Sequence, residues 1–353
     1  MSIDTETATF TAAEAGTGDP RGAAAAIADP TRRHLPWDVM GSQLTDGDYP
    51  SVAAAMAALG LDYTVTRAVD QARLPDGGIV VSHNRDALVR PAPNGAPGHL
   101  HLGTVGKGYG LSQNAEAFAV FDRLRDAHGL KIIGGADYRA GTSAVLVGQL
   151  PEPVLLRRGG SEDMVNLYIY ARNGFAGSST VRFDLSTVVK SCTNALNLGA
   201  LHGAIGTYST RHTANITARL GINTDLLMDE VASYAGAFDA AAQAMIAETV
   251  SAAAVDRFLA EVFPITRPTN EVHVANVTER RIAVRSLITA SPTLAGFHNT
   301  PWSLVQGVTE WADFYRPVRG DAAVARAEDA MAVVGAVPDL KAKAWSAALS
   351  TLN

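Results

Sequence analysis

Apolar and polar residues alternate in short stretches through the first two thirds of the chain, which is the pattern of β-strands with one buried face. Gly, Pro and Asn residues separate the stretches, and Asn173-Gly174 is a strong hairpin signal. The strand-like stretches are 63–69, 78–83, 86–89, 131–136, 143–150, 165–171 and 180–189. The pattern predicts a small β region followed by an antiparallel sheet of three or four strands.

Helical periodicity precedes and follows these stretches. A first helix is predicted to end at Gly60, and a second, with Ser112 or Asn114 as its N-cap, carries apolar residues from Ala117 to Leu124. Further helices are predicted at 225–247, 252–263 and 280–290, from Thr300 through Tyr315, and in a last Ala-rich segment. The expected fold class is therefore α+β: an antiparallel β-sheet packed by helices on one face, followed by a mainly helical C-terminal region.

These patterns divide the chain into three parts. Residues 1–30 form an acidic, Ala- and Gly-rich leader that is expected to be flexible, 31–220 the α+β core with its antiparallel sheet, and 221–353 the helical C-terminal region. The leader lacks the features of a secretory signal, and no apolar window has the roughly 20 residues of a bilayer span. We therefore expect no export and no membrane role.

Composition narrows the chemistry. The 353 residues carry a formal net charge of −6, which argues against nucleic-acid binding driven by overall charge. The single cysteine excludes an internal disulfide and a Cys-based zinc cluster, and the histidines show no metal-site spacing. The glycine-rich turn around Lys107 does not match the phosphate-loop pattern, because Lys107 precedes the position that the pattern requires. No cofactor and no metal are expected.

Charge is distributed unevenly along the chain. Between 152 and 219 seven basic residues face four acidic ones, a local excess of three in an acidic protein. The basic residues are Arg157, Arg158, Arg172, Arg182, Lys190, Arg211 and Arg219. This excess indicates either a basic groove or scattered, solvated surface charge.

Three segments of this region are candidates for chemistry. Arg211-His212-Thr213, predicted at the start of a helix, is either an anion contact or a structural histidine beside an ion-paired arginine. Asn194 could hydrogen-bond bases or sugars, or neighbouring backbone instead. Cys192, predicted at a strand-to-helix junction with His202 and His212 nearby in sequence, is either a nucleophile or a small buried group.

A series of short motifs, in order, resembles the family called "domain of unknown function 932". The motifs are Pro36-Trp37 with Gly41, Gly106-Lys107-Gly108-Tyr109, 113–118, 177–179 with 181–183, Cys192-Thr193-Asn194-Ala195-Leu196, Arg211-His212-Thr213, Trp302, 308–310 and Asp313. The chain departs from the family pattern at Asp38 and at Thr193, so the roles of these two positions stay open. The resemblance implies a phage, prophage or plasmid setting and no established catalytic residues.

The predicted order of helix, antiparallel strands and helix also resembles the core of the Redβ/RecT and Rad-fifty-two type single-strand annealing proteins. This resemblance implies a protein that binds and anneals single-stranded DNA in homologous recombination, as a homo-oligomeric ring or filament. The expected nucleic-acid contacts are Lys107, Arg182, Lys190, Asn194, Arg211, His212 and Arg219. The expected stacking faces, with core packing as their alternative, are Tyr168, Tyr170, Phe175 and Tyr208.

Two other function classes stay open. The Ala-rich helical half could make a homo-oligomer or bind a host protein without any contact to nucleic acid. A hydrolase built on Cys192 and His212 is the third reading, although no spacing supplies it with a positioned base. Salt-dependent binding of single-stranded DNA would separate the first class from the other two.

Overall fold

The computed structural model describes residues 48–138, 141–177, 180–189, 195–197, 207–212, 224–332 and 335–352. It has two antiparallel sheets packed by helices and a mainly helical C-terminal region. The predicted α+β fold class is therefore confirmed. The predicted leader and Cys192 lie outside the described residues.

Helix α1 and a three-stranded sheet, called here the small sheet, form the first part of the fold. Helix α1 spans Val52–Leu59; the Ser51 hydroxyl caps its first turn, and Gly60 ends it with φ at 65°. The small sheet has the order β1-β2-β3, and its strands are β1 (Thr66–Arg73), β2 (Ile79–Pro91) and β3 (His99–Gly106). The two strands predicted at 78–83 and 86–89 are one continuous strand, and β3 was not predicted.

Two short helices lead from the small sheet to the main sheet. They are α2 (Asn114–Phe118) and α3 (Val120–His128). The N-cap of α2 is Gln113, which forms a capping box with Glu116, rather than the predicted Ser112 or Asn114. The predicted apolar face is buried, as expected for a helix that packs on a sheet; its residues are Ala117, Phe118, Val120, Phe121 and Leu124.

The main sheet has seven strands within the described residues. Its order is β10-β8-β7-β5-β4, with β6 paired to β7 and β9 paired to β8, and all pairs are antiparallel. The strands are β4 (Lys131–Tyr138), β5 (Ser143–Gln149), β6 (Val154–Arg158), β7 (Ser161–Gly174), β8 (Thr180–Val189), β9 (Ala195–Asn197) and β10 (Thr207–Arg211). The four predicted strands are confirmed, and β6, β9 and β10 are additional.

Three local predictions for this region were wrong. The segment 172–177 was predicted as a turn, but β7 continues through Asn173 and Gly174, because both pair with β5. The segment 195–197 was predicted as helix and is strand β9. Arg211 was placed before a helix, yet it ends strand β10, which pairs with β8. In each case cross-strand pairing overrides the local pattern.

The C-terminal region contains six helices within the described residues. They are α4 (Thr224–Ala247), α5 (Ala252–Val262), α6 (Glu271–Ala290), α7 (Pro301–Glu310), α8 (Ala322–Met331) and α9 (Ala336–Leu349). A π-helical turn, Trp311–Tyr315, continues α7. Helix α6 begins about ten residues before the helix predicted at 280–290, and Asn270 is its N-cap.

The two faces of the main sheet pack against different partners. The face with Leu167 and Ile169 belongs to a core that extends without a break from α1 to α9, where Phe238 stacks on Trp345 and Trp302 meets both rings edge-on. The opposite face, with Tyr168 and Tyr170, packs against Ala330 of α8 and is mostly closed to solvent. Helices therefore contact both faces of the sheet, not only the one predicted.

Candidate functional site

Two distant motifs meet where the small sheet contacts the main sheet. The glycine turn, residues 106–110, follows β3, and His212 follows β10. The Gly110 N–H donates to the His212 carbonyl at 3.2 Å, and His212 Nδ1 donates to the Gly110 carbonyl at 3.1 Å. These reciprocal hydrogen bonds join motifs that lie about a hundred residues apart in sequence. We call this region the junction.

Tyr109, in the glycine turn, contacts both His212 and the end of strand β7. Its ring stacks on the His212 ring, with centroids 4.8 Å apart and planes 15° from parallel. Its hydroxyl donates to the Gly174 carbonyl at the end of β7, at 3.3 Å. Burial raises the pKa of Tyr109, so the phenol is neutral and remains a donor. The glycine turn is thereby attached to two strands of the main sheet.

The Asn173 side chain of β7 hydrogen-bonds to the residues between the glycine turn and helix α2. The side chain is fully buried, and its amide nitrogen donates to the Ser112 carbonyl at 3.0 Å and to Asn114 Oδ1 at 3.1 Å. The Asn114 amide in turn donates to the Leu61 carbonyl. Asn173 therefore stays in the ladder of β7 rather than forming a turn, because its side chain has partners only there.

His212 is a structural residue of the junction. It is 6% exposed, and burial lowers the pKa of its imidazole, an effect that the hydrogen bond to the Gly110 carbonyl only partly opposes. The ring is consequently neutral near pH 7 and stacked beneath Tyr109. This burial argues against the predicted phosphate contact of His212 and favours the alternative of a structural histidine.

Two cations lie at the glycine turn. Lys107, whose side chain is 58% exposed, and Arg67 of β1 both form ion pairs with Asp86 of β2. Arg67 also donates to the Tyr109 carbonyl. Lys107, and then Arg67, hold the pKa of the Asp86 carboxyl below its usual value, so Asp86 is ionised. The Asp86 carboxylate bridges Lys107 and Arg67, so these three side chains together keep one excess positive charge.

Two more cations lie on one face at the edge of the main sheet. Register places Arg182 of β8 opposite Ser209, and Arg211 of β10 opposite Thr180. Residues that oppose each other, and those two positions further along, share a face of the sheet, so Arg182 and Arg211 are diagonal neighbours. Arg211 is exposed, and no acidic partner for it is found among the described residues.

A buried carboxylate, that of Asp184 on the same strand, fixes the position of the Arg182 side chain. Its Nε donates to Asp184 Oδ1 at 2.6 Å, and Arg172 Nε donates to the other carboxylate oxygen at 3.0 Å. The Asp184 side chain has no solvent exposure, whereas that of Arg182 is 26% exposed. One buried carboxylate thus orders two arginines, and the outer one reaches solvent on the same face as Arg211. This geometry suits a guanidinium that must be positioned for an anion.

The four outer cations, Arg67, Lys107, Arg182 and Arg211, are called the basic junction. Among the described residues, Asp86 and Asp184 are the carboxylates that form ion pairs with them, so four positive charges face two negative ones there. Sequence reasoning found Lys107, Arg182 and Arg211 and missed Arg67. Arg67 lies in a strand of mixed polar residues whose pattern gives no sign of the distant turn that it contacts.

The predicted stacking faces are not at the surface. Tyr168, Tyr170 and Phe175 are 3%, 0% and 0% exposed. The two tyrosines lie on one face, as alternation predicted, but that face packs against α8. Phe175 packs into the core of the small sheet, 6.4 Å from the Tyr63 ring. The stacking prediction was therefore wrong for these three residues, and core packing is confirmed.

The remaining predicted contacts cannot be placed. Lys190, Asn194 and Arg219 lie outside the described residues, and so does the side chain of Tyr208, whose backbone pairs with Phe183. Among the described residues, no group of three or more His, Cys, Asp or Glu side chains could hold a metal ion. No described helix is both long enough and apolar enough for a membrane span.

A family model described as "Domain of unknown function (DUF932)" matches residues 101–331, more than half of the chain. The chain belongs to this family. The DUF932 match includes the glycine turn, His212, Lys107, Arg182 and Arg211, whereas Arg67 and Asp86 precede it. Neither the curated proteins nor the solved structures contain a match to the chain.

Proposed function

We propose that this DUF932 protein binds and anneals single-stranded DNA in phage-type homologous recombination, acting as a homo-oligomer in the cytoplasm of a bacterial host. The observation that carries the proposal is the basic junction. Cations separated by more than a hundred residues in sequence gather around one structural contact, on a chain whose formal net charge is −6. A polyanion is the ligand that such a local excess attracts.

The geometry favours contacts to phosphates over contacts to bases. Arg182 and Arg211 are diagonal neighbours on the edge of the main sheet, and Lys107 presents an exposed ammonium in the glycine turn, which hydrogen-bonds to the residue that follows Arg211. Phosphate contacts carry no sequence information, which is what an annealing protein requires. Since Tyr168, Tyr170 and Phe175 are buried, we expect binding with little base stacking and a strong dependence on salt.

Fluorescence anisotropy with a labelled single-stranded oligonucleotide tests binding. Arg211→Ala and Lys107→Ala should each weaken binding several-fold at low salt. Each should also reduce the slope of log K against log salt by about 0.7, the value for one phosphate contact to a single strand. Absence of binding by the unaltered protein at low salt would refute the proposal.

Arg157→Ala is the matched control. Arg157 is an exposed arginine in an ion pair with Glu162, so it resembles Lys107 in charge and exposure. It pairs with Glu162 near the start of β7, whereas the junction lies at the end of that strand, roughly 40 Å away at 3.3 Å per residue. The Arg157→Ala variant should bind the oligonucleotide with the affinity of the unaltered protein. Equal losses in all three variants would show binding by net charge alone, and would contradict a role for the junction.

Annealing requires a separate measurement. Two complementary strands with a donor and an acceptor dye should pair faster with the protein than without it, and the Arg211→Ala variant should lose most of this acceleration. Mass photometry of the same samples should detect oligomers. Binding without faster pairing would leave a single-strand binding protein and remove the annealing step from the proposal.

A second candidate function, self-association without nucleic acid, is favoured by a different observation. Beyond the end of β3, strands β1 and β2 continue as a two-stranded ribbon that exposes large apolar side chains on both faces. They are Leu74, in the connection between the two strands, and Ile79, Val80 and Val81 of β2, each more than 40% exposed. Such a ribbon is marginally stable in water unless it is covered. If Val80→Lys dissociates the oligomer and leaves DNA binding intact, assembly and binding are separate activities.

A further inference from the structure

A pocket lies between the π-helical turn and helix α8, well along the chain from the junction residues. Its volume is about 490 Å³, within the range of sites for small molecules. The residues that line it are Arg316, Pro317, Val318, Arg319, Ala325 and Asp329. The family match includes this segment.

Guanidinium groups dominate the polar side of the pocket. Arg316 forms an ion pair with Asp329, while Arg319 is exposed at the rim. Behind Arg316, Arg326 donates from Nε and from a terminal nitrogen to the Arg316 carbonyl, at 3.0 and 2.8 Å. The lining carries two positive charges and one negative charge, and Arg326 adds a third cation close by.

The arginines lie close enough to repel each other. Burial and then the Arg316 guanidinium lower the pKa of Arg326. Arg316 Nε is also buried with no hydrogen-bond partner among the described residues. A half-buried cluster with excess positive charge is stabilised by an anion that accepts hydrogen bonds from the exposed parts of the Arg316 and Arg319 guanidinium groups.

Apolar side chains also line the pocket. They are Pro317, Val318 and Ala325, so a ligand with only a charged group would leave them uncovered. The combination of cationic and apolar lining residues suits a phosphate attached to an organic body of ring size.

We propose that this pocket binds a small phosphomonoester of the nucleoside monophosphate type, with the phosphate between Arg316 and Arg319 and the organic part against Val318. The site does not depend on the basic junction. Its ligand is a free small molecule, and the terminal phosphate of a DNA strand is the other source of the same chemistry.

Isothermal titration calorimetry on the full chain tests the pocket with adenosine 5′-monophosphate, adenosine and inorganic phosphate. The monophosphate should bind more tightly than either fragment. Arg319→Gln should weaken its affinity about tenfold, as expected for the loss of one charge-assisted hydrogen bond. Val318→Glu, which adds a negative charge to the lining, should abolish binding.

Arg267→Gln is the control, because Arg267 is also exposed and lies outside the pocket. It should bind the monophosphate like the unaltered protein. No heat with the monophosphate up to about 1 mM, or equal losses in Arg267→Gln and Arg319→Gln, would refute the site.

A further arm compares short single-stranded oligonucleotides with and without a 5′-phosphate. If the Arg319→Gln variant loses affinity only for the 5′-phosphorylated strand and the monophosphate does not bind, the proposed free ligand is wrong. If Arg211→Ala leaves monophosphate binding intact, the pocket stands whether or not the junction binds DNA.

Discussion

At the scale of single residues, burial decides which chemistry each side chain can perform. His212 and Lys107 belong to adjacent motifs of the same junction, yet one is 6% exposed and neutral and the other extends into solvent. Sequence could nominate both, because residue type and local charge are visible in it. It could not rank them, because the burial of His212 depends on Tyr109 and Gly110, a hundred residues away.

The buried imidazole of His212 predicts a pH-dependent stability. Its pKa in the folded protein lies below the ordinary value of about 6.5, so the unfolded chain binds the proton more readily. Its contribution to stability is therefore complete above that value and is lost as the pH falls below it. His212→Asn should make the free energy of unfolding less dependent on pH between about 6.5 and 5.

Denaturant unfolding at a series of pH values measures this dependence. His99→Asn removes an exposed histidine and should keep the slope of the unaltered protein. An NMR titration that places the His212 pKa at or above 6.5 would contradict the prediction.

Lys341 and Asp313 test the cost of a buried charge. Lys341 Nζ lies 2.5 Å from Asp313 Oδ1, and the two side chains are 5% and 3% exposed. Lys341→Met alone should lower the free energy of unfolding by about 3–5 kcal/mol, because it leaves a carboxylate buried without this cation. Adding Asp313→Leu should recover much of that loss. Chemical denaturation of both single variants and the double variant gives the coupling energy, and a coupling near zero would show that the pair is not a unit.

At the scale of secondary-structure elements, prediction succeeded where the signals are local. Helix α1 was predicted because Gly60 marks its end, and the structure adds a second local signal, the cap that the Ser51 hydroxyl supplies. Strand β10 and the end of β7 were mispredicted because the segments that pair with them are distant in sequence or carry turn-like residues. The same pairing places Arg211 beside Arg182, so the basic junction could be predicted only as a list of residues.

Two helical glycines give opposite predictions. A Cβ on Gly307 of α7 would lie 2.5 Å from Ile288 Cγ1 of α6, so Gly307→Ala should force these helices apart at a cost of about 1–3 kcal/mol. A Cβ on Gly236 of α4 would meet nothing within 4 Å. Gly236→Ala should therefore stabilise the protein by about 0.5–1 kcal/mol. Thermal unfolding of both variants compares the two signs, and stabilisation by Gly307→Ala would refute the close packing of α6 on α7.

At the scale of the whole molecule, the division at residue 220 marks a change of pattern along the chain. The core itself does not stop there. It includes residues of the main sheet and of the C-terminal helices, and the Gln243 amide of α4 donates to the Leu155 carbonyl of β6 at 2.8 Å. Periodicity reveals which elements form, but the surface on which each element packs depends on the tertiary arrangement.

A continuous core predicts cooperative unfolding of the sheet and the helices. Phe238 of α4 is fully buried between Trp302 and Trp345, with ring centroids 6.1 and 5.5 Å away. Phe238→Ala should lower the free energy of unfolding by about 3–5 kcal/mol, the usual cost of such a cavity. In hydrogen exchange at increasing denaturant, the most protected amides of β5 and β7 should open together with those of α7 and α9, and the substitution should accelerate all of them equally. Faster exchange confined to the helices, with β5 and β7 unchanged, would instead establish two independent folding units with a boundary near residue 220.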